Sequence, residues 1–316
     1  MRITQNMLTQ QFLYNITQNN NQMQQLQEQL STGKTLNQAS DNPLAVSQDM
    51  SLKDAISQNT SFQSTVSSGL TWMQNTSSVL SQISSALQNV QQNVTEALNS
   101  TNQSSSAMKA LYNTTQQYVQ GIEQLVNSQQ GDRYLLNGTN TNQAPASAFT
   151  QADGSTGISI QNGTASAAVI SYAIASGITI STNVTATSLL LTNPTTLNVS
   201  STDPTNLQNN LNSILSDLKQ GNVTDLSTQL KNLTNNMQNV TNVNGELGSR
   251  EQRLTALQNQ LNQFSTNLTN QKGVIEDANM AQVITKFSTD QTVYQAALKM
   301  GSEILLPSLV SFLPNG

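Results

Sequence analysis

Residues that could do acid–base or nucleophilic chemistry are few and scattered in this sequence. It has no histidine and no cysteine, which removes the most common general base, the metal sites built on paired histidines and every thiolate nucleophile. The closest carboxylate pairs, such as Glu276 and Asp277, are adjacent in the chain, whereas catalytic carboxylates must converge in a perturbing environment. No Gly-Lys-Ser/Thr triplet follows the glycines of residues 131–163, as a phosphate-binding loop requires. We therefore predict no catalytic, cofactor or metal site, and a protein that is not an enzyme.

The composition favours uncharged polar surfaces. Only 9% of the 316 residues are charged and 4% are aromatic, against roughly 25% charged residues in ordinary globular chains, so Asn, Gln, Ser and Thr must cover most of the surface. Such a surface suits subunits that pack closely in a polymer, and it equally suits a lineage bias or an acidic medium. The net charge of -5 and the absence of a Lys and Arg cluster argue against a nucleic-acid partner.

Neither a secretory signal nor membrane insertion is predicted. Ile3, Met7, Leu8 and Phe12 are separated by polar residues, whereas a signal peptide has a continuous apolar core. No apolar run approaches the roughly 18 residues that a membrane span requires. By these rules alone the protein is cytoplasmic, and any export would use a route that reads no cleaved signal.

The two ends of the chain carry matching helical patterns. Apolar or small residues recur at alternating four- and three-residue steps, which place them on one face of a coiled-coil helix. The N-terminal line is Phe12, Ile16, Asn19, Met23, Leu26 and Leu30, and the C-terminal line is Met280, Ile284, Phe287, Gln291, Tyr294, Leu298, Gly301 and Leu305. A lone helix leaves such a face unburied, so we predict that the two ends pair and form an assembly surface.

Two more helices are predicted in the first half of the chain. After a stop at Gly33, the run Ser40-Asp41-Asn42 can cap a helix that starts near Leu44, behind Pro43. That helix should reach about Asn99, and its apolar face is Met73, Thr76, Leu80, Ile83, Leu87, Val90, Val94 and Ala97. A short polar break then returns the chain antiparallel over residues 108–125.

A short strand and turn should follow that helix. We expect Gly131 to end the helix, and Asn137-Gly138 to form a tight turn after a strand over residues 133–136. Arg133 and Tyr134 have no acid–base partner near them in the sequence, so we expect them to clamp the hairpin to a helix.

Residues 143–203 change to a β pattern, and helices resume after Pro204. Segments 157–160, 169–172 and 178–180 read as short strands between Gly and Asn turns. A helix ending near Gly221 precedes a longer one, whose apolar line has polar interruptions at Asn244, Glu251 and Gln258 that either set register or face solvent. Gly273 should allow a bend, and Pro307 should limit the last helix before an apolar tail over residues 305–313.

The predicted fold is therefore mainly α. It is a long antiparallel helical-bundle or coiled-coil rod built from both chain ends, with a small β-rich inserted domain that we expect on the outer surface of any assembly. The predicted divisions are an N-terminal assembly helix and linker (1–43), helices and a hairpin (44–142), the β-rich insertion (143–203), further helices (204–272) and the C-terminal assembly helix (273–316).

Three stretches, together with the two chain ends, resemble the flagellin superfamily. They are Leu30-Ser31-Thr32-Gly33-Lys34, Ser40-Asp41-Asn42-Pro43-Leu44-Ala45 and Gly131-Asp132-Arg133-Tyr134-Leu135-Leu136-Asn137-Gly138-Thr139. The resemblance covers roughly residues 1–140 and 205–313. Filament-forming members usually lack the proline of the second stretch and the Arg-Tyr pair of the third, so Asp41, Asn42, Pro43, Arg133, Tyr134 and Gly138 favour a junction protein.

The resemblance implies a structural protein of the bacterial flagellum that joins hook to filament. In this family the two ends form the inner layer of a helical tube, and they fold as neighbouring subunits bury them. It also implies export through the flagellar type III apparatus, a dedicated export chaperone, and contacts with itself, with a hook-associated protein and with flagellin. Two alternatives stay open from the residues: a filament flagellin, and a secreted coiled-coil adhesin or binding protein that uses residues 143–203.

Overall fold

The structure is a computed structural model that describes residues 5–99, 104–160, 168–175, 177–193, 199–200 and 202–305. Its helices are α1 (Gln5–Thr32), α2 (Pro43–Leu98), α3 (Ser105–Val126), α4 (Ala186–Leu190), α5 (Leu207–Gln220), α6 (Val223–Glu276) and α7 (Met280–Leu305). Its strands are β1 (Gln129–Gln130), β2 (Arg133–Tyr134), β3 (Ala146–Thr150), β4 (Thr156–Ile160), β5 (Ser171–Ala175) and β6 (Ile178–Ser181). The prediction of a mainly α fold with a small β-containing region is confirmed.

The chain divides into two compact units, and the division falls inside α2 and α6. The terminal unit comprises residues 1–59 and 263–316, and the central unit comprises residues 60–262. Both ends of the chain therefore contribute helices to one unit. The sequence analysis divided the chain into five parts, and those boundaries remain predictions, because the structure separates only these two units.

The central unit holds the apolar core. The predicted face of α2 is buried at every position from Met73 to Ala97, and Leu233, Leu247 and Leu254 of α6 are buried with it. Leucines, isoleucines and valines at heptad spacing bury a continuous face, which explains why these long helices are stable here. Of the polar interruptions in α6, Asn244 accepts a hydrogen bond from Ser77 Oγ on α2 at 3.0 Å, so this one links two helices rather than facing solvent alone.

The described residues form three two-stranded antiparallel hairpins: β1–β2, β3–β4 and β5–β6. The predicted strand segments correspond to β4, β5 and β6 and, over its first two residues, to β2, whereas β1 and β3 are strands that the sequence pattern missed. The β3–β4 hairpin contacts α3 and α5. There Asn212 of α5 accepts from Ile158 N at 2.9 Å and donates to Ile158 O at 3.0 Å, so a side-chain amide occupies the place of a neighbouring strand.

Four details of the chain path differ from the sequence prediction. Helix α2 begins at Pro43, one residue early, because proline is preformed for a first helical turn. Helix α3 ends at Val126, and Gly131 instead lies in the turn between β1 and β2 with φ 61°. Helix α6 runs through Gly273 to Glu276, and the break follows it. The short helix α4 was not predicted; it is fixed by a capping box between Thr185 and Ser188. Pro307 and the tail over residues 305–313 lie almost wholly outside the described residues.

No helix in the described ranges is long and apolar enough to cross a membrane.

Candidate functional site

The terminal unit leaves many of its large apolar side chains exposed and buries few. Its buried hydrophobic residues, within the described ranges, are Leu26, Leu268 and Val283, whereas the main apolar core draws on positions 66 to 261. The exposed large hydrophobic residues of this unit are Met7, Leu8, Leu13, Tyr14, Leu44, Met50, Phe264, Val274, Met280, Ile284, Val293, Leu298 and Met300. Monomeric proteins rarely expose this many apolar groups in so small a unit, so this surface is the strongest candidate for an interaction site.

Helix α1 buries the face that the sequence pattern predicted. It contacts α7, and the predicted line from Phe12 to Leu30 contains its least exposed residues: Leu26 is buried, and Phe12, Ile16, Met23 and Leu30 are half-buried. Exposed Leu13 and Tyr14 lie between Phe12 and Ile16, and the later positions are separated by polar residues that are mostly exposed. The structure thus places the N-terminal line on the side of α1 that pairs within the chain.

Helix α7 pairs through only part of the predicted line, which contributes Phe287, Tyr294 and Gly301 to the paired face. Its paired face consists of Val283, Phe287, Tyr294, Ala297 and Gly301, which are buried or half-buried. The predicted residues Met280, Ile284 and Leu298 instead lie on its exposed flank, with 40%, 53% and 47% of their surface accessible. At about 100° per residue the centres of the paired face and of the exposed flank are roughly 70° apart around the helix, so α7 has an apolar surface wider than one partner helix covers. Leu305 ends α7, and its side chain lies outside the described residues.

Phe12 packs against Gly301 between the paired helices. A Cβ atom at position 301 would overlap Cζ and Cε1 of the Phe12 ring. Only glycine leaves room for an aromatic ring this close to a helix backbone. The contact makes the pair antiparallel, since at the opposite end the backbone N–H of Ala278 donates to Gly33 O at 2.9 Å.

An ion cluster around one buried carboxylate lies where α6 ends and the chain turns into α7. The Glu276 carboxylate is within 2.5 Å of Lys34 Nζ, 2.8 Å of Lys272 Nζ and 3.7 Å of Lys53 Nζ. Lys53 also pairs with Asp49 at 2.6 Å. Hydrogen bonds from Lys272 and Lys34 hold the pKa of Glu276 down at about 2, against the opposing effect of burial. We call Glu276 with its three lysines the Glu276 cluster.

Sequence reasoning missed this cluster. It treated Glu276 and Asp277 only as an adjacent carboxylate pair, although Lys272 stands four residues before Glu276 on the same helix and this spacing places them side by side. The other two lysines come from distant parts of the chain. Their closeness to Glu276 depends on the fold, and no local sequence pattern predicts it.

The residues of the second family-like stretch shape the loop between α1 and α2. The Asp41 carboxylate accepts from the backbone N–H groups of Asn37 and Gln38 at 3.0 and 2.8 Å. Asn42 Oδ1 accepts from Ala45 N at 3.2 Å, as an N-cap does, and Pro43 is the first residue of α2. These residues therefore define where α1 stops and α2 starts.

The residues of the third stretch lie in the central unit. The Arg133 guanidinium lies over the buried Trp72 ring, 5.2 Å from its centroid, a cation–π contact that holds the hairpin to α2. The N–H of Tyr134 donates to Thr141 O at 2.9 Å. Gly138 has φ 58°, a backbone conformation that favours glycine in the turn. Nothing in this geometry brings an acid or base to Arg133.

In the part of the chain that the structure describes, no three His, Cys, Asp or Glu side chains come together as a metal site would need. The features that stand out are instead an exposed apolar surface, a paired helix face and the Glu276 cluster. This arrangement can bind other helices.

Known protein families match the two ends of the chain, where the paired helices lie. The profile of the bacterial flagellin N-terminal helical region matches residues 3–141, and that of the C-terminal helical region matches residues 230–313. Flagellar hook-associated protein 3 of Salmonella typhimurium is 34% identical over 155 residues, covering 49% of this chain and 48% of that protein. The Escherichia coli protein of the same name is 32% identical over 148 residues, covering 46% of each. The chain thus matches these relatives over about half of their length.

Solved structures share the fold at low sequence identity. One from Vibrio parahaemolyticus, provisionally described as a flagellar hook-associated protein, has a TM-score of 0.63 at 18% identity and covers 75% of this chain and 99% of its own. Flagellar hook-associated protein 3 from Legionella pneumophila has a TM-score of 0.56 at 12% identity, covering 70% and 96%. The two flagellin profiles together match well over half of the residues. The chain therefore belongs to the flagellin family, whose N-terminal and C-terminal helical regions it carries at its two ends.

Proposed function

We propose that this protein is a structural component of the bacterial flagellum and joins the hook to the filament. The proposal is supported by family membership and by two relatives, each named flagellar hook-associated protein 3, that match about half of their length. The proline at position 43 and the Arg133-Tyr134 pair favour this role over that of a filament flagellin, as the family resemblance implies.

The observation that carries the mechanism is the exposed apolar surface of the terminal unit. Helices α1 and α7 cover one face of each other, while the flank of α7 at Met280, Ile284 and Leu298 stays exposed together with Leu13 and Tyr14 of α1. Exposed apolar area of this kind is stabilised when another helix covers it. Neighbouring subunits supply those helices, and the chain ends become fully ordered as the subunits assemble.

The family resemblance implies the partners that cover this surface. One copy of the chain contacts further copies, another hook-associated protein on one side and flagellin on the other. Before assembly an export chaperone covers the apolar C-terminal region, which would otherwise promote aggregation. The protein reaches the outside of the cell through the flagellar export route, without a cleaved signal peptide.

Immunogold labelling of detached flagella tests the role directly. An antibody against residues 143–203 should give a single band of gold where hook meets filament. Gold along the whole filament would instead identify a filament flagellin. Flagella without any gold would contradict the proposal and favour a binding protein that uses residues 143–203. Flagella from a strain that lacks the protein provide the matched control for antibody specificity.

A further inference from the structure

We propose that Glu276 is a positioning residue that ties the loop after α1 to the break before α7, so that the two ends of the chain are held or released together. This goes beyond the proposed function, because it concerns how the ends are fixed within one chain and does not depend on what they assemble with.

The first observation is the origin of the three lysines. Lys34 belongs to the loop after α1, Lys53 to α2 and Lys272 to α6, so one carboxylate draws together three segments. The Glu276 side chain is only 6% exposed and lies within 4 Å of all three ammonium groups. In a sequence with 9% charged residues, this concentration of charge is a specific arrangement and not a general feature of the surface.

The second observation is a backbone bridge at the same place. Lys34 and Asp277 form an isolated antiparallel bridge. Thr35 N donates to Glu276 O at 2.7 Å, and Ala278 N donates to Gly33 O at 2.9 Å. The residue that carries the carboxylate therefore also carries a carbonyl of the bridge, and the side-chain and backbone contacts close the same junction.

The third observation is the scarcity of apolar burial around this junction. The terminal unit contains three buried hydrophobic residues in its described ranges, Leu26, Leu268 and Val283, so apolar packing alone holds the junction weakly. Without the carboxylate, Lys34 and Lys272 would lose their counter-charge, and Lys53 would keep only Asp49. Their repulsion and the loss of their hydrogen bonds should open the junction on both sides.

Limited trypsin digestion of the purified full-length chain tests the proposal, because the lysines of the cluster are themselves cleavage sites. When opening is fast relative to cleavage, the cleavage rate follows the population of the open form. We expect Glu276→Gln to raise the cleavage rates after Lys34 and after Lys272 by a similar factor of about ten or more. Cleavage after Lys109, in the central unit, should keep its wild-type rate.

The matched control is Glu246→Gln, which removes the exposed partner of Arg250 on the same helix and should leave all three rates unchanged. Unchanged cleavage after Lys34 in Glu276→Gln would overturn the proposal. Faster cleavage after Lys272 alone would also overturn the proposal, because it would show only the loss of the Lys272–Glu276 ion pair within α6.

A milder variant covers the case in which Glu276→Gln loses the whole fold and cleavage accelerates at Lys109 as well. Lys53→Gln removes the most distant lysine of the cluster, 3.7 Å from the carboxylate. It should raise cleavage after Lys34 and Lys272 together by a smaller factor of about two to five, with Lys109 unaffected. Wild-type rates at both sites in this variant would then overturn the proposal.

Discussion

The ring of Phe12 packs against the backbone of Gly301, and this contact joins the first and last helices of the chain. With the hydrogen bond from Ala278 N to Gly33 O at the opposite end, it fixes the register in which α1 and α7 run antiparallel. Glycine at position 301 is therefore a packing requirement, in a helix where glycine is otherwise unfavourable.

Substitution of Gly301 tests this packing. Alanine in place of an unhindered helical glycine stabilises a helix by about 1 kcal/mol, but at position 301 the new methyl group must displace the Phe12 ring. We expect Gly301→Ala to lose this gain and Gly301→Leu to weaken the α1–α7 pair further, as measured by urea unfolding followed by helical circular dichroism. The control is Gly245→Ala in α6, where nothing lies within 4 Å of the added atom. Equal gains at both positions would contradict the contact.

The two apolar lines of α7 should separate stability from assembly. Phe287→Asp places a charge on the half-buried paired face and should weaken both the pairing within the chain and assembly, because an unpaired buried charge costs several kcal/mol at order of magnitude. Leu298→Asp lies on the exposed flank and should change the unfolding free energy of the monomer by less than about 0.5 kcal/mol while it blocks assembly.

Incorporation of tagged chains into flagella, in a strain without the wild-type chain, provides the assembly measurement. Thr292→Asp, on the exposed opposite side of α7, controls for the added charge and should incorporate normally. Normal incorporation of Leu298→Asp would remove the flank from the assembly surface.

Acid should weaken the Glu276 cluster within a defined pH window. The folded pKa of Glu276 is about 2, below its ordinary value of 4.5, so the stabilisation is present above about pH 4.5 and is lost as the pH falls through about 2. The shift corresponds to at most about 3 kcal/mol. Lys34, Lys53 and Lys272 face this carboxylate, and Asp49 shares Lys53.

The measurement is the difference in unfolding free energy between the wild type and Glu276→Gln across this range. It should be largest near neutral pH and approach zero near pH 2, whereas Glu246→Gln should give a small difference at every pH. A wild-type advantage that is already absent at pH 5 would contradict the ion pairs.

The sequence was sufficient for most of the α1 face, because from Ile16 to Leu30 the apolar residues are separated by polar ones and only one line can be drawn. In α7 the apolar residues are too numerous for the spacing to select one line: Met280, Val283, Ile284 and Phe287 belong to overlapping patterns. The position of α1 decides which of them is covered, and that choice belongs to tertiary packing.

Contacts between distant segments could not be predicted from the sequence for a different reason. The approach of Lys34 and Lys53 to Glu276, and the pairing of Asn212 with the backbone of Ile158, join residues that share no local pattern. Polar side chains in a chain rich in Asn, Gln, Ser and Thr are usually solvated, so composition does not single out the buried ones.

Glycines did not predict helix ends consistently. Gly221 ends α5 with φ 71°, as predicted, while Gly273 lies within α6.

Hydrogen exchange on the free and assembled chain tests the central claim, that the terminal helices become fully ordered on assembly. In the purified monomer, amides of residues 12–30 and 283–301 should exchange at least about a hundredfold faster than those of residues 80–94 and 233–254, whose side chains form the buried core. In assembled flagella the terminal amides should become protected to a similar degree as the core. Strong protection of both terminal segments in the monomer, unchanged on assembly, would contradict the account.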